Sequence, residues 1–499
     1  MRQLSRLQKG MTLQCQSEVP AIRIRALNDA PLSTSGEYVL YWMIANRRLQ
    51  SNFSLQRAID WSNELQKPLI ILEALRSGYR WASQRIHRFI IEGMADNAKA
   101  LETHDVLYYP YVEPDHDEGK GLLKALSSRA CVIITDNFPC FMLPRMSAAA
   151  AKQSKVRMEA IDSNGIYPMY DTDRVFTKAH SFRRHLQKTI VPHLQDFPLV
   201  DPLDAYDAGT AKLPEEITQR WPLRSLQELT KLDWIADLPI DQKVLPAPIK
   251  GGSQQAQQQL DDFLTMLPRY HEDRNHPDKD PSSGLSPYLH FGHISAHTIF
   301  TQCMQQDKWE LDNIAEKPNG SRNGWWGASE AVEAFLDELI TWREIGYNMC
   351  AHTDNYDQYE SLPDWARKTM EEHLDDSREY IYSLEEFEQA NTHDKVWNAA
   401  QRQLIQEGRI HNYLRMLWGK KIYEWTATPQ DALSVMIELN NKYALDGRNP
   451  NSYSGIFWVL GRYDRAWGPE RKVFGKIRFM SSENTARKLK AKEYFKTYG

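Results

Sequence analysis

Short apolar runs alternate with amphipathic stretches over the first third of the chain. Each unbroken run predicts a strand buried on both faces, and apolar residues spaced three and four apart predict the helices between them. The predicted strands are Tyr38–Ile44, Pro68–Leu75, Val106–Val112, Cys131–Thr135 and Val156–Ile161, and the predicted helices are Phe53–Lys67, Ser83–Glu102, Gly119–Arg129 and Pro144–Ser154. This alternation predicts a Rossmann-like α/β domain at residues 20–165 with a parallel five-stranded sheet.

The hydrophobic period changes twice further along the chain. Residues 166–250 are irregular and rich in proline, which predicts an interdomain connector with a few short helices. Residues 251–499 keep a period of 3.6, so we expect an all-helical domain there. Its predicted helices are Gln255–Tyr270, Ser295–Gln306, Ser329–His352, Asp376–Ala390, Thr392–Glu407, Ile410–Trp425 and Pro429–Tyr443.

Composition narrows the class of protein. The chain has 499 residues, of which 41% are hydrophobic and 25% charged, as in a globular protein. It has no apolar run of about 18 residues, so we expect no membrane span. The N-terminus has no apolar core of a secretory signal, and the five cysteines include no C-x-x-C pair. These features predict a cytoplasmic protein in a reducing compartment.

Charge is distributed unevenly along the chain. The net charge is −5, yet residues 469–499 contain nine Lys or Arg and three Glu, a net of +6. A basic tail on an acidic body is either a solvated helix face or a phosphate-binding patch.

Common cofactor and metal signatures do not occur in the chain. Neither G-x-G-x-x-G nor the P-loop pattern is present. His271, Asp273, His276, Asp278 and Asp280 lie close together, but their spacing matches no zinc pattern, so we expect no metal site.

A carboxylate flanked by aromatic residues is the first candidate for chemistry. Glu338 and Trp342 lie one turn apart in the helix predicted after Ser329, and Phe335 shares their line. A carboxylate on a core-facing stripe is costly unless it has a partner. Glu338 therefore either reaches solvent at the edge of the stripe or lies in a pocket beside an aromatic platform.

Tryptophans form a second candidate group. Trp418 and Trp425 are seven residues apart, about 10 Å along one helix face, and Trp397 is on the preceding helix. Such an arrangement is either core packing or a path for electron hopping. Arg415 precedes Trp418 by one turn on an apolar helix, so it needs a carboxylate, and Asp446 is available.

Two loops have the composition of ligand-binding segments. The segment Ser282–Ser295 places hydroxyl groups beside a glycine just before a helix, which suits a diphosphate. The segment Leu439–Trp467 contains Gly447, Pro450 and Gly455, which predict a compact irregular loop. Polar groups within such a loop normally bind a ligand.

Several of these segments together resemble the photolyase/cryptochrome superfamily. They are SSGLSPYLHFGHIS, FLDELITWRE, HDKVWNAAQ, EGRIHNYLRMLWGKKIYEW, LNNKYALDGRNPNSYSG and VFGKIRFM, with YVLYWMIANRR at the first strand. The resemblance covers roughly residues 20–485 and is greatest to class II cyclobutane pyrimidine dimer (CPD) photolyases. It implies that the helical domain binds FAD, and it leaves a deazaflavin, a folate or no antenna chromophore open for the α/β domain.

The resemblance also implies a role for individual residues. The flavin would be bound by Tyr270, Ser282, Ser283, Leu285, Ser286, Arg343, Arg415 and Asp446. Asn440 would lie near flavin N5. Glu338 would hydrogen-bond the dimer between Trp342 and Trp458. Electrons would pass through Trp418, Trp397 and Trp425, counted outward from the flavin. Arg465, Trp467 and Arg478 would hold the opened duplex.

The resemblance implies light-driven repair of pyrimidine dimers in UV-damaged DNA by electron transfer from reduced FAD. We expect a monomer. A cryptochrome-like blue-light photoreceptor, a 6–4 photolyase and a flavin-free binding protein are the alternatives. The sequence departs from the family pattern at Asn449, where GRNPN replaces GRDPN, and in the loop after Trp467.

Overall fold

The computed structural model describes residues 17–499. Cys15 and the N-terminal segment assessed for a secretory signal lie outside the described residues. Among the helices described, none combines the length and apolar character needed to cross a lipid bilayer.

The N-terminal domain is built on one sheet with helices on both sides. Its strands are β1 (Ile24–Ala26), β2 (Tyr38–Met43), β3 (Leu69–Leu75), β4 (Leu107–Val112), β5 (Ala130–Asp136) and β6 (Met158–Ile161). Its helices are α1 (Phe53–Leu65), α2 (Gln84–Leu101), α3 (Leu122–Ser127) and α4 (Leu143–Gln153). Every residue of β2 and β5 is buried, which explains their unbroken apolar runs.

The sheet has six strands in the order β1-β6-β5-β2-β3-β4. The expectation of five parallel strands is therefore wrong in number, and the extra strand β1 is antiparallel to β6, with Ile24 opposite Ile161. The other five strands are parallel, and Leu40 of β2 pairs with Ile70 of β3 and Ile133 of β5. The strand β1 escaped prediction because three half-exposed residues are too few to display a period.

Short helices follow the sheet, as expected for the connector. They are α5 (Ala179–Thr189), α6 (Glu215–Arg220) and α7 (Leu226–Thr230). The remainder is helical: α8 (Ser253–Met266), α9 (Tyr270–Asp273), α10 (Ser286–Phe291), α11 (Ala296–Gln306), α12 (Glu330–Leu336), α13 (Arg343–His352), α14 (Asp364–Glu372), α15 (Leu384–Glu388), α16 (Lys395–Glu407), α17 (Asn412–Glu424), α18 (Pro429–Tyr443), α19 (Pro450–Val459), α20 (Ser482–Leu489) and α21 (Lys492–Tyr498).

Buried charged side chains join the sheet to the helical domain. The carboxylate of Glu344 on α13 accepts hydrogen bonds from the backbone N–H groups of Ile166 (2.7 Å) and Tyr167 (3.0 Å), just after β6. Arg48, after β2, donates to the carbonyl of Gly292 at 3.2 Å. These contacts fix the helical domain against the carboxyl edge of the sheet.

Candidate active site

A π-helical segment carries the first two candidate residues. Ser329 caps α12, as expected, but Asp337–Trp342 forms a π-helix between α12 and α13 instead of a continuous α-helix. Arg183 of α5 donates to both carboxylate oxygens of Asp337, at 2.7 and 3.0 Å. Such wide turns occur frequently at functional sites. Here the turn directs Glu338 and Trp342 away from a regular helical register.

Glu338 has a cationic partner that the sequence did not indicate. Its Oε1 accepts a hydrogen bond from Nη1 of Arg274 at 2.8 Å. Burial raises the pKa of Glu338, and Arg274 opposes this shift without cancelling it. The side chain nevertheless keeps 32% of its surface accessible. A carboxyl group in this setting is protonated more readily than one in water.

Trp342 and Trp458 line the same cavity, which has a volume of 640 Å³. Trp458 is on α19, a regular helix where an irregular loop was expected. Helix α19 begins at Pro450 for two reasons. The Asn449 side chain accepts a hydrogen bond from the N–H of Asn451 and so caps the helix, and proline is favoured at the first helical position. Two indoles from separate helices therefore face one space large enough for a nucleobase pair.

The same cavity carries two of the three residues expected to hold DNA. Trp467 and Arg478 line it, and the guanidinium of Arg478 lies 4.0 Å from the Trp467 ring centroid. Arg478 also donates to both carboxylate oxygens of Asp464, at 2.8 and 3.0 Å. The guanidinium of Arg465 lies 4.4 Å from the centroid of the same Trp467 ring. The carboxylate that neutralises Arg478, Asp464, was not indicated by any pattern in the sequence.

Residues expected to bind FAD meet across three segments. Ser286 at the start of α10 donates to Oδ2 of Asp446 at 2.6 Å, and Nη1 of Arg415 lies 4.0 Å from the same oxygen. Arg415 is one-third exposed, so its pairing with Asp446 is looser than expected for a buried arginine. Ser282 donates to Asp280 at 2.6 Å, and Gly284 has a φ of +64°. These hydroxyl and cationic groups suit a diphosphate.

Three further residues bear on whether FAD fits. Nη1 of Arg343 is buried without any hydrogen-bond partner among the described residues, while Nη2 donates to the Tyr347 hydroxyl at 3.1 Å. An orphaned guanidinium nitrogen indicates a polar ligand. Asn440 is buried and donates to the Ser452 hydroxyl at 2.6 Å, so its Oδ1 stays available. Tyr270, also buried, packs edge-on against Phe335. The set fits a bound FAD.

Three tryptophans form a continuous buried path. Trp418 and Trp397 are stacked, with ring centroids 6.5 Å apart and planes at 5°, and Trp425 lies 6.2 Å from Trp397. Nε1 of Trp418 donates to Gln401 at 2.8 Å, and Nε1 of Trp397 donates to the carbonyl of Trp418 at 2.9 Å. The structure thus brings the three residues together in the order Trp418, Trp397, Trp425.

Comparison with solved structures shows which fold the chain shares. The crystal structure of a bacterial class III photolyase from Agrobacterium tumefaciens matches with a TM-score of 0.64 at 17% identity, over 93% of this chain and 87% of the other, which shows a shared fold. No family model matches the chain.

Sequence relatives identify the family. The deoxyribodipyrimidine photo-lyase of Methanothermobacter thermautotrophicus is 33% identical over 95% of this chain and 98% of its own length. The proteins of the same name from Arabidopsis thaliana and Oryza sativa are 31% and 32% identical over 95% of this chain and 91% and 89% of their own lengths. The chain belongs to the deoxyribodipyrimidine photo-lyase family and is a lyase.

Proposed function

We propose that the protein repairs cyclobutane pyrimidine dimers in DNA by light-driven electron transfer from reduced FAD, as a photolyase of the class II type. One observation carries the proposal: Trp342 and Trp458 face one 640 Å³ cavity that Trp467 and Arg478 also line. The relatives named deoxyribodipyrimidine photo-lyase support it.

The cavity suits a dimer that has left the duplex. A lesion inside a helix cannot reach a buried cofactor, and an already unstacked dimer costs less to flip out than a normal base pair. The indoles of Trp342 and Trp458 would pack against its saturated rings and bury their apolar faces. Arg465, Trp467 and Arg478 would hold the strand at the opening.

Glu338 would act on the dimer as a hydrogen-bond donor. Its pKa is raised by burial, so the carboxyl is more readily protonated than a solvated glutamate. A protonated carboxyl can donate to a dimer carbonyl and stabilise negative charge that develops there. Arg274, 2.8 Å away, fixes the orientation of the group.

Residues from several helices and loops would bind FAD. Tyr270, Ser282, Ser283, Leu285 and Ser286 would contact its diphosphate, while Arg343, Arg415, Asn440 and Asp446 would lie on its flavin side. When bound in its reduced state, FAD supplies the electron for dimer splitting. The chain's part is to hold, orient and shield this cofactor.

The tryptophan path would serve photoreduction of the cofactor rather than repair. Trp418, Trp397 and Trp425 lie at spacings of 6.5 and 6.2 Å, which suits stepwise hopping. Because repair returns the electron to its source, a blocked path should spare repair by pre-reduced enzyme.

The α/β domain offers a site for an antenna chromophore. A cavity of 430 Å³ lies at the carboxyl end of the sheet, lined by Trp42, Tyr111, Glu113 and Lys120 among others. Open α/β sheets bind ligands at this edge. A planar deazaflavin or folate would fit its mixture of aromatic, acidic and basic groups.

The test is repair of defined lesions. Reduced protein is mixed with duplexes carrying one thymine CPD or one 6–4 product and exposed to blue light, with a dark sample as control. We expect recovery of intact thymines from the CPD duplex in the light only. Recovery only from the 6–4 duplex, or from neither, contradicts the proposal. A Trp342→Ala variant that retains flavin should lose most of this activity.

A further inference from the structure

Lys420 on α17 is a fully buried lysine next to the lesion cavity. Its relative exposure is 0%, and its Nζ donates to the carbonyl of Val459, the last residue of α19. The same nitrogen lies 5.0 Å from the centroid of the Trp458 ring. Burying an ammonium group is costly unless specific contacts compensate, so this placement needs a reason.

Close packing of two helices creates the Lys420 site. A Cβ on Gly419 would lie only 2.4 Å from Cγ2 of Val459, so glycine lets α17 approach the end of α19. The carbonyls in the last turn of a helix lack intrahelical donors, and Lys420 supplies one to Val459. The ammonium thus caps the turn that carries Trp458.

The charged groups that face Lys420 are Asp464 and Arg478, both in the loop after α19. Burial lowers the pKa of Lys420 to about 7, Asp464 opposes this shift and Arg478 adds to it. Helix α18 presents an uncharged side chain, Met436, beside Gly419. Within residues 17–499 no carboxylate lies within 4.0 Å of the Lys420 Nζ, so no close ion pair stabilises its protonated form.

We propose that Lys420 is a positioning residue for lesion binding, which holds the Trp458 indole in place from its buried side. Trp458 lines the cavity whereas Lys420 has no exposed surface, so the ammonium contacts the indole from within the protein. The backbone hydrogen bond fixes the turn, and the cation–π contact fixes the ring. The inference rests on the proposed stacking of Trp458 against the dimer.

The contact makes lesion recognition depend on pH. The ammonium form attracts the ring through its charge, and the neutral amine does not. With a pKa of about 7, Lys420 exchanges one form for the other near neutrality. The preference for damaged over undamaged DNA should therefore fall as the pH rises.

The experiment measures that preference in the dark with full-length, flavin-loaded protein. Dissociation constants are determined for a CPD duplex and its undamaged counterpart at about pH 6 and about pH 9, on either side of the Lys420 pKa. Taking the ratio of the two constants cancels general effects of pH on DNA affinity. We expect the wild-type ratio to fall about two- to thirtyfold, the range that cation–π contacts span from exposed to desolvated sites.

Two lysine variants complete the design. Lys420→Met keeps the length of the side chain but removes the charge, so its ratio should be low and the same at both pH values. Lys442→Met is the matched control, because Lys442 lies on a different helix, α18, where its Nζ forms an ion pair with Glu388 at 2.5 Å. It should keep the wild-type ratio and its pH dependence.

The outcomes separate this inference from the proposed function. A wild-type ratio that does not change with pH, or a flavin-loaded Lys420→Met protein with the wild-type ratio at about pH 6, overturns it. If Lys420→Met fails to hold flavin, Lys420→Arg decides, because an arginine stays charged at both pH values and its ratio should then fall less than the wild-type ratio. A Trp458→Ala protein that keeps lesion preference instead contradicts the stacking role itself.

Discussion

Two arginines should respond differently to removal, although both lie against the Trp467 ring. Arg478 is neutralised by two hydrogen bonds to Asp464, whereas Arg465 has no carboxylate within 4.0 Å among residues 17–499. A side chain that neutralises a phosphate contributes about 0.9 to the slope of log affinity against log salt. We therefore expect Arg465→Ala to lower that slope by about 0.9 and Arg478→Ala to leave it unchanged.

The size of the effect follows from the same slope. Between about 50 and about 200 mM salt, one phosphate contact costs about 3.5-fold in affinity. The affinity of the wild type relative to Arg465→Ala should therefore decrease about 3.5-fold as the salt concentration rises from about 50 to about 200 mM. The ratio for Arg478→Ala should stay constant, while its affinity for damaged DNA still falls through lost contact with Trp467 and Trp458.

The assay is a salt titration of binding to a CPD duplex, with flavin content checked for each variant. Arg478→Ala should also lose stability, because Asp464 is left without its cation. Burial alone would raise the pKa of Asp464, but Arg478 brings the net shift below its usual value. The stability that this pair contributes is present at neutral pH and is lost as the pH falls through the carboxyl pKa. A slope lowered by about 0.9 in Arg478→Ala would refute the reasoning.

Three further outcomes are expected. Trp397→Phe should abolish photoreduction of oxidised FAD, which is measured by absorbance, yet leave repair by pre-reduced enzyme intact. The control variant Trp234→Phe, in the connector, should change neither activity. Repair by pre-reduced enzyme should decline as the pH rises through the pKa of Glu338, because the carboxyl group then loses its proton. Arg274→Gln should shift this decline to higher pH, because the variant lacks the cation that lowers the pKa of Glu338. Single-turnover rates against pH check this, and an unshifted profile contradicts it. Arg343→Met should retain less FAD through purification, measured as the ratio of flavin to protein absorbance, since its unpartnered nitrogen is lost.

Local signals account for the elements that the sequence predicted well. Helix α18 begins at Pro429 and ends at Tyr443 in both prediction and structure. Thr428 caps it through the N–H of Asp431, and proline at its first position is already restricted to helical φ. The five parallel strands were found for a similar reason, since burial on both faces leaves an unbroken apolar run.

Long-range contacts explain the largest error in the helical domain. A helix was expected at Asp376–Ala390, but only Leu384–Glu388 is α-helical. The Asp376 carboxylate accepts from the N–H of Val473 at 2.8 Å, and the N–H of Tyr382 donates to the carbonyl of Trp425 at 3.0 Å. These partners are remote in sequence, so no local pattern indicates that they replace helical hydrogen bonds.

In the candidate site, too, features set by local sequence could be predicted and those set by long-range contacts could not. The spacing of Trp418 and Trp425 is a property of one helix and could be predicted. The partners that set the charge of the site, Arg274 for Glu338 and Asp464 for Arg478, could not. Arg274 follows Tyr270 by one turn, which is the one local signal that could have directed attention to it.

Helix α17 links the parts of the proposed site because it is enclosed on all sides. It packs against α16, α18, α19 and α20, so its sequence has little of the one-sided pattern of a surface helix. Arg415 faces Asp446, Trp418 stacks on Trp397, and Lys420 reaches the end of α19. Because Trp418 and Lys420 are two residues apart, about 200° around the helix, they point in nearly opposite directions. One rigid element thus holds the proposed electron path at a fixed distance from the proposed lesion contact, while each side chain can be changed separately.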